Sequence, residues 1–140
     1  MHADDLARFV DAQAPVYDTV CAELATGRKR SHWMWFVFPQ LRGLGLSETA
    51  WHYGLASADE ALAYWQHPLL GPRLKHCTSL VLAAHAPSAH AIFGSPDDLK
   101  LRSCMTLFAA VAPDEPVFAR VLQRFWGGAP DTRTLALLRA

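Results

Sequence analysis

Arg28-Lys29-Arg30-Ser31-His32-Trp33-Met34-Trp35-Phe36-Val37-Phe38-Pro39-Gln40-Leu41 sets three consecutive cations and a Ser-His pair against a nearly unbroken apolar and aromatic run. The run needs burial, because exposed it would form a sticky surface patch. The cations need water or anions. The segment therefore crosses from core to surface, and such a crossing can form the wall of a pocket. Residues 33–38 have strand-like composition, yet no other part of the chain reads as a strand that could pair with them. An extended or short helical segment, packed among helices, is the expectation. The fold class follows: all-α, a single multi-helix domain over residues 1–140.

The rest of the chain supports that reading. Leu6, Phe9 and Val10 share one face of a first helix ending near Pro15, and Val16, Val20, Cys21 and Leu24 continue at helical spacing up to Gly27. Arg42-Gly43-Leu44-Gly45-Leu46 reads as a loop, and Ser47 as the cap of a short helix. Ser57-Ala58-Asp59-Glu60 has the form of a capping box. Pro68 marks the next start, ahead of Leu70, Leu74, Cys77 and Val81. Ser88 and Gly94 bracket a short helix, and Ser95-Pro96-Asp97-Asp98 opens a long one. Pro116 precedes a helix lined by Phe118, Val121, Leu122 and Phe125, closed by Gly127-Gly128, and Asp131 caps the last, which carries Leu135 and Leu138.

The 140 residues are 51% hydrophobic and 19% charged, enough apolar chain for a sizeable core. The formal net charge is zero, which argues against general nucleic-acid binding but leaves room for a local anion site at residues 28–30. No apolar run is long enough to span a membrane, and the acidic stretch 1–5 lacks a signal-peptide pattern. Cys21, Cys77 and Cys104 are odd in number and lie in apolar contexts, as buried free thiols do. A soluble cytoplasmic protein without membrane contact is expected. The sequence calls for no cofactor. His85 and His90 are five apart, off the spacing that aligns two metal ligands on a helix, and no Cys–His spacing suits a metal.

Several residues could bind a ligand. Lys29 suits a phosphate, Ser31 adds a hydroxyl, and His32 could act as acid, base or donor, the one candidate for catalysis. Trp33 or Trp35 could stack a planar ring, although for either ring taken alone a place in the core is the first expectation. Lys100 and Ser103 lie one turn apart on the helix after Pro96 and could project into a cleft. Asp97 and Asp98 would repel an anion from the first turn of that helix.

The segment 27–41 strongly resembles the signature of an uncharacterised bacterial family, domain of unknown function 1810. Further matches are Gly43-Leu44-Gly45-Leu46-Ser47, His67-Pro68-Leu69-Leu70-Gly71-Pro72-Arg73-Leu74, Ile92-Phe93-Gly94 and Asp97-Asp98-Leu99-Lys100-Leu101-Arg102-Ser103-Cys104-Met105-Thr106-Leu107-Phe108. The resemblance implies a small, mainly α-helical fold and no established activity. Some members carry the label calpastatin. Calpastatin-like inhibitors are disordered and polar, and this chain is neither. The order Asp97, Lys100, Met105, Phe125 and Leu135 is also similar to the C-terminal half of the NADAR family, which processes N-glycosidic bonds in nucleotide-derived and ADP-ribose substrates. That family's acidic catalytic residue has no counterpart here, so no role is carried over. Two functions result as expectations. One is a pocket for a small anionic, nucleotide-like ligand of ADP-ribose type, with N-glycoside hydrolysis as its chemistry. The other is a non-catalytic protein-interaction module.

Overall fold

The computed structural model describes residues 6–139, and the acidic stretch 1–5 lies outside them. The described residues form helices α1 (Ala7–Gln13), α2 (Tyr17–Ala25), α3 (Met34–Val37), α4 (Glu48–Tyr53), α5 (Ala58–Gln66), α6 (Leu70–Ala83), α7 (Ala89–Phe93), α8 (Asp97–Val111), α9 (Val117–Trp126) and α10 (Thr132–Arg139). The fold is all-α. Helix α8 is its axis: Leu101 and residues 103–108 are buried, and α5, α7, α9 and α10 pack on it. Helix α6 forms a second layer against α2, α5 and α9.

The aromatic segment becomes the short helix α3, packed on α1 and α4. Its buried members are Trp33, Met34, Val37 and Phe38, which are spaced one and four residues apart. A strand would have buried alternate residues instead. The Val37 N–H donates to the Trp33 carbonyl at 3.2 Å and the Phe38 N–H to that of Met34 at 3.1 Å. The β propensity of these side chains gives way to burial against the neighbouring helices. After α3 the chain makes one isolated parallel bridge between Leu41 and Leu55. The Leu55 N–H donates to Gln40 and the Arg42 N–H to Leu55, each at 2.9 Å.

The oxygens of Ser47, Ser57 and Ser88 accept amide hydrogen bonds at the starts of α4, α5 and α7. Two expected caps differ. Glu60 does not return to Ser57 but accepts from the Ala56 N–H at 2.9 Å and pairs with Arg8 at 3.1 Å. Helix α6 is capped by a ring: His67 Nδ1 accepts from the Leu69 and Leu70 N–H groups at 3.1 and 3.2 Å. Pro68 precedes the helix without capping it. At the far end of α2, Gly27 takes a φ of +75°, and the Arg28 N–H reaches back to the Glu23 carbonyl at 3.1 Å. That left-handed turn, which favours glycine, aims the cationic segment across α2.

No helix among the described residues is long and apolar enough to cross a membrane.

Candidate functional site

The cationic segment is held by a residue outside it. Glu23 falls on the apolar face of α2, three residues after Val20, and is buried there. Its Oε1 accepts from the Arg30 N–H at 2.8 Å, the Ser31 N–H at 3.1 Å and the Trp33 indole N–H at 2.9 Å. Its Oε2 accepts the Ser31 hydroxyl. Burial alone would raise the Glu23 pKa. The donors, led by the Ser31 hydroxyl, outweigh it and hold the carboxyl down to about 2. Glu23 is therefore the internal anion that this segment wraps.

The next layer is a chain of charges. The Lys29 N–H donates to the Ile92 carbonyl at 2.7 Å, which fixes where the side chain starts. Its Nζ lies 2.9 Å from Asp97 Oδ2 and 5.1 Å from the Trp33 ring centroid, with the side chain only 7% exposed. Lys100 Nζ lies 3.5 Å from Asp97 Oδ1 and 4.2 Å from the Trp35 ring centroid. Each tryptophan thus carries one lysine, and Asp97 joins the two. The second acid, Asp98, lies 3.6 Å from His90 Nδ1.

Beyond Lys100 opens a cleft of about 410 Å³, bordered by Gln40, Leu44, Pro96, Leu99, Lys100, Arg102, Ser103, Asp131 and Arg133. Three cations against one carboxylate give its lining an excess of two positive charges, in a chain whose net charge is zero. Arg102 Nε is tethered to the Ala129 carbonyl at 3.0 Å, and Arg133 reaches the Leu44 carbonyl at 3.4 Å. Asp131 Oδ2 accepts from the Ser103 hydroxyl and the Thr134 N–H, both at 3.1 Å, and from the Thr134 hydroxyl. Its own N–H donates to Thr106 at 2.8 Å. The Asp131 carboxylate is therefore fixed in place, and the cleft floor with it.

The residues singled out from sequence are divided between core and cleft. Lys100 and Ser103 line the cleft, and Trp35 lies under Lys100, half-buried. Lys29 joins them only through Asp97. Ser31 and Trp33 are turned inward onto Glu23, and Trp33 is buried. His32 is exposed and outside the cleft lining. Sequence reasoning did not single out Glu23, Gln40, Arg102, Asp131 as a liner, or Arg133. For Glu23 a signal existed: an acid in register with Val16 and Val20 on an apolar helix face. For the arginines none did, since lone arginines on helices are ordinarily solvated.

Cys77 and Cys104 are buried, Cys21 half-buried, and all three are free. Burial pushes the Cys77 thiol up to about 12 and that of Cys104 well above its ordinary value. Among the described residues no group of three or more His, Cys, Asp or Glu side chains gathers to hold a metal ion.

Residues 3–138 match the family described as "Protein of unknown function (DUF1810)". The chain belongs to that family. Among solved structures it is similar to the conserved hypothetical protein Rv1873 from Mycobacterium tuberculosis, known from a crystal structure at 1.38 Å. The identity is 58%, the alignment covers 97% of each chain, and the TM-score is 0.95. No curated protein matches the chain. Membership thus places the fold and the signature segment in a family whose activity is not established.

Proposed function

We propose that this member of the family binds a small anionic, nucleotide-like ligand in the cleft beside Lys100. The observation that carries the reading is the excess of positive charge lining a concave space in a chain of zero net charge. Clefts that concentrate one sign of charge raise the local concentration of opposite ions. Lys100, Arg102 and Arg133 supply the attraction, Ser103 holds Asp131 in place, and Trp35 offers an aromatic face nearby. The reaction class to test there is N-glycoside hydrolysis. Water would add to the anomeric carbon, the C–N bond would break with its electron pair leaving on nitrogen, and a proton would pass to the leaving group. Asp131 is the carboxylate at hand in the lining to orient that water.

The test is calorimetric titration with ADP-ribose and ADP, followed by chromatography for a released base. Binding is expected, weaker at high salt and weaker by about 1.5–3 kcal/mol in Arg133→Ala, which loses a charged partner. No heat from either ligand would sink the reading. The second reading, a protein-interaction surface, is favoured by Leu46, Trp51 and Leu99, which are 101%, 60% and 56% exposed. Silence in the titration would leave it standing.

A further inference from the structure

We infer that Lys100 is the specificity-determining residue of the cleft: it is a latch over the Trp35 indole that an anion draws away, so ligands joining an anion to a flat ring are preferred over simple anions. The inference rests on the anion-binding reading above.

Lys100 and Gln40 border two spaces at once, the cleft of about 410 Å³ and a crevice of about 10 Å³ that also touches Trp35. The crevice has room for one water molecule at most. No ring can stack on the indole face that Lys100 covers while its Nζ sits 4.2 Å from the ring centroid. The latch is lightly held. Its ion pair with Asp97 is 3.5 Å long, whereas Lys29 holds the other oxygen of the same carboxylate at 2.9 Å. When Lys100 leaves, Asp97 keeps a full counter-charge, so no buried acid is stranded. The cation–π contact it gives up is weak at a partly exposed site. The lysine stem has four rotatable carbons, and its ammonium can follow a ligand into the cleft without backbone movement.

Two anions then behave differently. Pyrophosphate engages the ammonium but leaves the indole face empty. A nucleoside diphosphate engages the ammonium and lays its base on the uncovered ring, a contact that stacking makes favourable.

The experiment compares pyrophosphate and ADP by calorimetry on the parent, Trp35→Leu and Lys100→Met. In the parent, ADP should bind about 10-fold more tightly than pyrophosphate. Trp35→Leu should erase that preference and leave pyrophosphate unchanged. Lys100→Met keeps an apolar arm over the ring without a charge, so both ligands should weaken by about 10-fold or more and the preference should vanish. Equal affinities in the parent would overturn the latch while sustaining anion binding. So would an ADP preference that survives in either variant. Binding of neither probe would overturn the anion-binding reading itself. Should Trp35→Leu fail to fold, Lys100→Met decides, because it changes a partly exposed side chain.

Discussion

Trp33 and Trp35 stand two residues apart and share one chemistry, but they belong to different worlds. Trp33 stands just before α3, at a non-helical φ of −130° and ψ of 6°, and Trp35 stands in the first turn of that helix, so the two rings meet different surroundings. Trp33 is buried at 1% exposure, edges onto Phe93 with ring centroids 6.4 Å apart, and gives its N–H to Glu23. Trp35 is half-buried and carries Lys100 at the lip of a cleft. The same contrast holds for their charges. On the Trp33 side an acid is saturated by donors from the segment wrapped around it. On the Trp35 side cations outnumber acids. Aromatic content alone says that a segment is buried. Only the placement of each residue at the start of α3 says which ring builds the core and which is left half-buried beside the cleft.

The sharpest way to break this contrast is to truncate both rings. Trp33→Ala removes a packed indole and a partner of a buried carboxylate, and should cost roughly 3–5 kcal/mol. Trp35→Ala should cost roughly 1–2 kcal/mol, within the range of ordinary substitutions. Urea unfolding of both variants measures the gap. Equal losses would mean that the two rings share one environment.

A smaller effect sharpens the charge side of the contrast. Glu23→Gln places an amide where only acceptors fit and should cost roughly 1–3 kcal/mol at neutral pH. The pH dependence has a definite sign. The folded carboxyl titrates near about 2, below its ordinary value of 4.5. On acidification the unfolded chain takes up the proton first, so this stabilisation is complete above pH 4.5 and is lost as pH falls toward 2. Glu115, whose pKa is also lowered, first by the Lys75 hydrogen bond, adds to the same acid limb. Stability against pH in Glu23→Gln should therefore fall less steeply between pH 4.5 and 2 than in the parent. An unchanged slope would remove Glu23 as the anchor.

The smallest effect belongs to the exposed neighbour. His32→Ala should alter stability by no more than about 0.5 kcal/mol. A larger loss in thermal melting would mean that His32 belongs to the same wrapped unit as Ser31 and Trp33.

Much of the fold is legible because its punctuation is local. Ser47, Ser57 and Ser88 cap helices that start one residue later, and Gly27 and Gly127 close others by taking positive φ. A hydroxyl next to a free amide acts over a few ångströms, so a short window of sequence contains the whole cause. The burial of Trp33, Met34, Val37 and Phe38 is legible in the same way, while the choice between an extended and a short helical backbone is not, because β-branched and aromatic side chains answer to tertiary packing. The site was less accessible. Asp97 looks like an obstacle to anions at a helix start, and the shorter of its two ion pairs is made with Lys29, 68 positions earlier. Arg133 enters the cleft through α10, whose docking on α8 no local pattern announces. Lys100 and Ser103 were within reach because helical spacing alone puts them on one face.

The end of α6 carries this separation furthest. Unlike α2, α7 and α9, it closes without a glycine: Ala84 turns away in an extended conformation, with φ −62° and ψ 139°. Its last carbonyls are served instead by Arg124 on α9. Nη1 donates to Val81 at 3.2 Å and Leu82 at 2.7 Å, and Nη2 to Ala84 at 2.6 Å and Ala86 at 3.0 Å. The stop signal for this helix is thus written some forty residues downstream. Helix α6 is not a portable module: transplanted into another scaffold without α9, it would carry its start and leave its ending behind. A lysine in place of Arg124 would not restore that ending, since a single ammonium lacks the planar fork that reaches carbonyls on both sides.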